Sequence, residues 1–194
     1  MTVSSRALYI RNLFVLIYIR KNITGGVSYT MENNDQSENM VSKKEAEEEV
    51  VTMARRMALL YHHTAEVLTE TFGEEKGKLL LHEIVKRYGR ESGEAARARV
   101  QELDLPLTAD NFNAGSDLPK WGWVTGSAVC EDGVERGRIT YCPLAEVWKE
   151  KGSEQLGRIY CYVDQAKYDA YNGIKCRHLK NVLDGDDCCL FDFS

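Results

Sequence analysis

The chain has 194 residues, 43% of them hydrophobic and 28% charged, with a formal net charge of -5. At roughly 150 residues per domain this is one domain, large enough to bury a core without covalent staples. Negative charge with no run of cations longer than two excludes the basic stripe of a nucleic-acid binder.

Residues 7–19 form an apolar run that contains Arg11 and is followed by Arg20 and Lys21. The run is shorter than the ~20 residues that cross a bilayer, and no small-x-small cleavage pattern follows it. Residues 31–40 are polar, as at the start of many chains. Translation is therefore expected to begin at Met31 or Met40, leaving 1–40 as a disordered or over-called extension before a single domain over 41–194. The competing reading is a short amphipathic membrane anchor.

Ser42 and Glu45 have capping-box spacing. Val50, Met53, Met57, Leu60, Tyr61, Ala65 and Leu68 then recur at threes and fours, predicting a helix that ends at Gly73 with these residues inward. A second helix is expected over 74–87, with Leu80, Leu81, Ile84 and Val85 inward, interrupted by Gly89 and Gly93 before a third piece over 94–103. The period changes after the Pro106 and Asn111–Ser116 loop. Segments 121–130 and 135–142 read as strands of a hairpin turning at Glu131-Asp-Gly-Val. Pro143 opens a short helix, Gly152 stops it, and Ser153 is placed to cap the next. For 155–171, alternation of Ile159, Cys161 and Val163 favours strand. Leu156, Ile159, Tyr160, Val163, Ala166 and Ala170 favour helix and cover more of the segment, so helix is the reading adopted. A closing hairpin spans 174–183 and 188–193, turning at Asp184–Asp187. Helices first and antiparallel strands after make an α+β fold: N-terminal helices packed on a mostly antiparallel sheet.

The cysteines at 130, 142, 161, 176, 188 and 189 all lie in the C-terminal part, two of them adjacent. Such thiols read as free in a reducing cytoplasm rather than as a disulfide framework. On a helix, Cys161, Asp164 and Tyr168 share a face. A thiol beside a carboxylate is either a metal-ligand pair or a nucleophile with an acid/base partner. In the last hairpin, pairing Leu183 with Cys188 puts Cys189 on one face with His178 and Cys176. His62, His63 and His82 read as packing or surface histidines, Asp184, Asp186 and Asp187 as a polar turn, and Trp121, Trp123 and Trp148 as core that can also line a ligand pocket. No paired Cys-x-x-Cys, His-Glu-x-x-His or phosphate loop occurs.

Three stretches in order, Tyr141-Cys-Pro-Leu-Ala-Glu-Val-Trp148, Gly157-Arg-Ile-Tyr-Cys-Tyr-Val-Asp164 and Leu183-Asp-Gly-Asp-Asp-Cys-Cys-Leu-Phe191, resemble the L-2-amino-thiazoline-4-carboxylic acid hydrolase family. The end of the chain is also similar to vinyl-reductase-type small-molecule-binding domains, in which a Cys-bearing helix precedes a hairpin ending G-D-x-x-C-x-F. Cys189 takes that motif position. Some sensor relatives of that domain bind zinc through four side chains, of which Cys161 and Cys189 match two; the others fall near His178 and Asn181.

The first resemblance implies hydrolysis of a cyclic amidine-like C–N bond in a small heterocyclic carboxylate. Cys161, Asp164 and His178 are the expected catalytic residues; Arg158, Arg177 and Trp148 are expected to bind substrate. One route makes Cys161 the nucleophile with Asp164 moving protons. The other holds a divalent metal, zinc or manganese, on Cys161, Asp164 and Cys189. The competing class is a non-catalytic sensor, disfavoured because no output segment accompanies it. Expected partners are a small-molecule substrate and a second copy of the chain, with neither nucleic acid nor a membrane for the core domain.

Overall fold

The computed structural model describes residues 41–119 and 121–194, together with the backbone of 19–21 and 27–29. The chain divides into two units, Met1–Val41 and Ser42–Ser194. In the first, β1 (Ile19–Lys21) pairs antiparallel with β2 (Val27–Tyr29). The expectations of a start at Met31 or Met40, of a disordered extension and of an anchor otherwise fall outside the described residues. No described helix is long and apolar enough to cross a membrane.

The second unit opens with α1 (Lys43–Phe72). Its capping box forms as expected: the Glu45 N–H donates to Ser42 Oγ at 3.2 Å and the Ser42 N–H to Glu45 Oε2 at 2.8 Å. The inward face differs from the expected one. Ala54, Ala58, His62 and Ala65 are buried, whereas Met53 and Leu60 are largely exposed. The alanines let α4 approach closely enough for Trp148 Nε1 to donate to the Ala58 carbonyl at 3.1 Å.

After Gly73, α2 (Glu74–Glu102) runs without a break through Gly89 and Gly93, correcting the expected interruption. These glycines admit another helix. A Cβ at Gly89 would lie 2.7 Å from Ala166 Cβ and 2.8 Å from the Val163 carbonyl, and one at Gly93 would overlap the Lys167 carbonyl. Helix α6 therefore packs backbone-close along α2. The short α3 (Phe112–Gly115) closes one end, where Ala96, Val100, Phe112 and Tyr171 form a buried cluster.

The hairpin of β3 (Val124–Val129) and β4 (Glu135–Tyr141) turns where expected, with Gly133 at φ +77° and its N–H donating to the Cys130 carbonyl. Pro143 starts α4 (Pro143–Glu150), as read. Helix wins over strand in the next segment, but as two pieces, α5 (Glu154–Tyr160) and α6 (Tyr162–Asn172), with Cys161 at the junction. β5 (Cys176–Lys180) and β6 (Cys189–Phe193) complete a four-stranded antiparallel sheet ordered β3-β4-β6-β5. The fold is α+β, as expected. The final register differs: His178 pairs with Phe191 and Lys180 with Leu190, with a shift between them. The loop is wider than a four-residue turn because the Asn181 N–H donates to Asp186 Oδ2 and the Leu183 N–H to Asn181 Oδ1. The main core joins Ala58, Leu144, Ala145, Val147 and Trp148 to Val182, Leu183 and Cys189.

Candidate active site at the α5–α6 junction

Trp148 fixes the floor of the region. Its ring is 1% exposed, and Gly157 of α5 lies so close that a Cβ there would meet the indole at 2.5 Å. Tyr61 and Tyr160 pack edge-on or tilted against the same indole, and the Tyr61 hydroxyl donates to the Leu156 carbonyl at 2.9 Å. Trp148 is thus a core residue beneath the site. α5 is held flat on this platform and ends at Cys161, whose partly buried Sγ lies 3.9 Å from the Gly157 carbonyl.

One turn into α6, Asp164 Oδ2 lies 3.1 Å from His178 Nε2. The other ring nitrogen, Nδ1, is 2.8 Å from Asn181 Nδ2. Asn181 is 1% exposed, and its Oδ1 already accepts the Leu183 N–H at 2.9 Å. Its NH₂ therefore donates to His178 Nδ1, which fixes that nitrogen as the acceptor and leaves the Nε2–H to donate to Asp164. The Asn181 amide also favours the thiolate form of Cys161. A hydrogen-bonded path runs Asn181, His178, Asp164, with the Cys161 thiol beside it. Sheet alternation puts Phe191 opposite His178, their rings 4.7 Å apart at 87°, and brings Cys189 to the same face.

Burial pushes the Cys161 thiol up to about 12, opposed by the Asn181 amide and reinforced by the Asp164 carboxylate. Burial also raises Cys189 and Cys142, and Asp164 adds to both. Cys142 occupies the N-cap position of α4, where the Leu144 and Ala145 N–H groups and the Trp123 side chain favour its thiolate against the dominant effect of burial.

Of the residues expected from sequence, Cys161, Asp164 and His178 come together, with Cys189 beside them. Arg158 is near, bonded to Asp184 at 2.9 Å. Arg177 points to the opposite face of β5, where it pairs with Asp192 at 2.6 Å and is far from His178's partners. Asp187 pairs with Lys180 and Asp186 accepts the Asn181 N–H, so the acidic turn is internally satisfied as read. The donor atoms of Cys161, Asp164 and Cys189 do not converge as a chelating set. Among the described residues, the three or more His, Cys, Asp or Glu side chains whose ligand atoms all lie within 4.8 Å of one another are His62, His63 and Glu66. Cys142 is the site residue missed from sequence, and Asn181, placed there only by the resemblance, had no role assigned to it. A Cys-Pro pair opening a helix marked Cys142 as an N-cap thiol.

Residues 53–193 match the family model for L-2-amino-thiazoline-4-carboxylic acid hydrolase. The chain belongs to this family. The match spans Cys161, Asp164, His178 and Asn181, and the family's description points to hydrolase chemistry. No curated protein and no solved structure matches the chain.

Proposed function

We propose that the protein opens a cyclic amidine-like C–N bond in a small heterocyclic carboxylate, with Cys161 as nucleophile and Asp164 as the group that carries the proton. The observation behind this reading is the hydrogen-bonded row Asn181, His178, Asp164 next to the Cys161 thiol. A resting thiolate is opposed by burial, so the sulfur attacks as a thiol whose proton passes to Asp164 as the S–C bond forms. His178 orients that carboxylate through its Nε2–H. Asn181 favours negative charge developing on the sulfur and holds the imidazole in the matching tautomer.

Attack on the carbon between the two ring heteroatoms gives a tetrahedral adduct on Cys161. The ring C–N bond then breaks, the nitrogen leaving as an amine with the proton from Asp164. Water, deprotonated by Asp164, adds to the same carbon and displaces Cys161, whose sulfur recovers the proton. One water is consumed and the thiol is regenerated. Arg158 is the cation for the substrate carboxylate, exchanging its contact with Asp184 for a similar one.

The test is turnover of L-2-amino-thiazoline-4-carboxylate and related cyclic amidines, with mass spectrometry of rapidly quenched protein. An adduct on Cys161 that vanishes in Cys161→Ser, together with lost ring opening, supports the reading. Ring opening by a folded Cys161→Ser protein at the parent rate overturns it. Saturable binding without turnover replaces it with the sensor reading.

A further inference from the structure

On α1, residues 62 and 63 diverge by roughly 100° around the helix axis, and residue 66, one turn on, falls between them. His62 Nε2 lies 3.3 Å from Glu66 Oε2, and His63 Nδ1 lies 3.0 Å from the same oxygen. These are the ligand-to-ligand distances of a tetrahedral zinc site, whose bonds of about 2.0–2.1 Å set edges of roughly 3.3 Å.

The hydrogen bonds around His62 supply an independent reason for a cation here. Ser153, which caps no helix despite its position, spends its hydroxyl proton on the Trp148 carbonyl at 3.3 Å. Its Oγ then accepts from His62 Nδ1 at 3.1 Å. With Nδ1 the donor, Nε2 is left facing the Glu66 carboxylate oxygen. Two acceptors at that distance repel unless a positive species lies between them. An imidazole held by a hydrogen bond at one nitrogen and presenting the other is the usual arrangement of a histidine ligand and its supporting partner. His62 is buried, His63 and Glu66 are reachable from solvent, and His62 and Glu66 border a cleft of about 350 Å³ shared with Lys78, Lys151 and Glu154.

We infer that His62 Nε2, His63 Nδ1 and Glu66 Oε2 form a three-ligand site for a divalent transition metal, zinc by the chemistry of its donors, with a fourth position open to the cleft. Two imidazoles and one carboxylate suit zinc, and an open position separates this set from a closed structural site. The site shares no residue with the Cys161–Asp164 region, so either can fail without the other.

The experiment uses the full chain, stripped of metal and titrated with zinc. Stoichiometry is read by elemental analysis and coordination by cobalt(II) absorption. One equivalent is expected. His63→Ala and Glu66→Gln, both at exposed side chains, are expected to abolish stoichiometric binding. Ser153→Ala is expected to weaken it about 10–100-fold, and Cys161→Ser with Cys189→Ser to leave it unchanged. The cobalt form should show the visible bands of a tetrahedral N/O site and no thiolate charge-transfer band. A parent that binds no zinc, a folded His63→Ala/Glu66→Gln protein that keeps its equivalent, or a thiolate band lost with the cysteines overturns the assignment.

Discussion

At Cys161 burial lifts the thiol, and two neighbours then act with opposite sign: the Asn181 amide favours the thiolate and the Asp164 carboxylate opposes it. The signs make a paired prediction. Alkylation of Cys161 by iodoacetamide, followed by peptide mass spectrometry, should accelerate only as pH climbs past about 9 toward the folded value. Asp164→Asn should move that curve to lower pH and Asn181→Ala to higher pH. Curves that shift together, or not at all, would separate these side chains from the sulfur. Asn181→Ala also strips the partner from the buried Leu183 N–H, so it should cost about 1–3 kcal/mol in urea unfolding. Asp164 and Cys161 were readable in advance because helical spacing alone places them together. The resemblance placed Asn181 nearby, but its role was not readable, since it depends on a loop register set by its own bonds to Asp186 and Leu183.

Along α2, glycine plays a part that sequence reading misassigned. Gly89 and Gly93 read as breakers, because a glycine that ends a helix and one that admits a neighbouring backbone look alike without the neighbour. Here the neighbour is α6, the helix that carries Asp164. Gly93→Ala should therefore cost about 1–3 kcal/mol through overpacking against the Lys167 carbonyl, and activity should fall with it as Asp164 moves off His178. Gly126→Ala in β3 meets open space and should be near neutral in the same urea measurement. Signals confined to a few residues were read correctly: the capping box at Ser42 and Glu45, Pro143 opening α4 and the Gly133 turn. Those settled by packing were not. The inward face of α1 is drawn by alanines beneath Trp148 rather than by its larger apolar residues, and the break at Cys161 has no sequence marker.

For the molecule as a whole, several buried acids share one direction. Cys161 and Cys176 are each pushed up to about 12 from an ordinary 9.0, and burial raises Tyr61, Tyr160 and Tyr168 as well. Between about pH 9 and 12 the unfolded chain has released protons that the folded chain keeps. Unfolding then releases protons, so stability falls as pH rises through that window. Urea midpoints should decline steadily above about pH 9, less steeply in a Cys161→Ser/Cys176→Ser protein; a flat profile would refute the burial of these groups. The sheet order β3-β4-β6-β5 bears on biosynthesis. β6, made after both of its neighbours, lies inside the sheet, hydrogen-bonded to both β4 and β5. A nascent chain that has already formed its helices holds β4 and β5 as unbridged edges, and His178 waits on one of them. The working geometry is therefore assembled only once β6 has left the ribosome, and a chain without β6 is a helical body with two sticky edges, a substrate for chaperones and proteases.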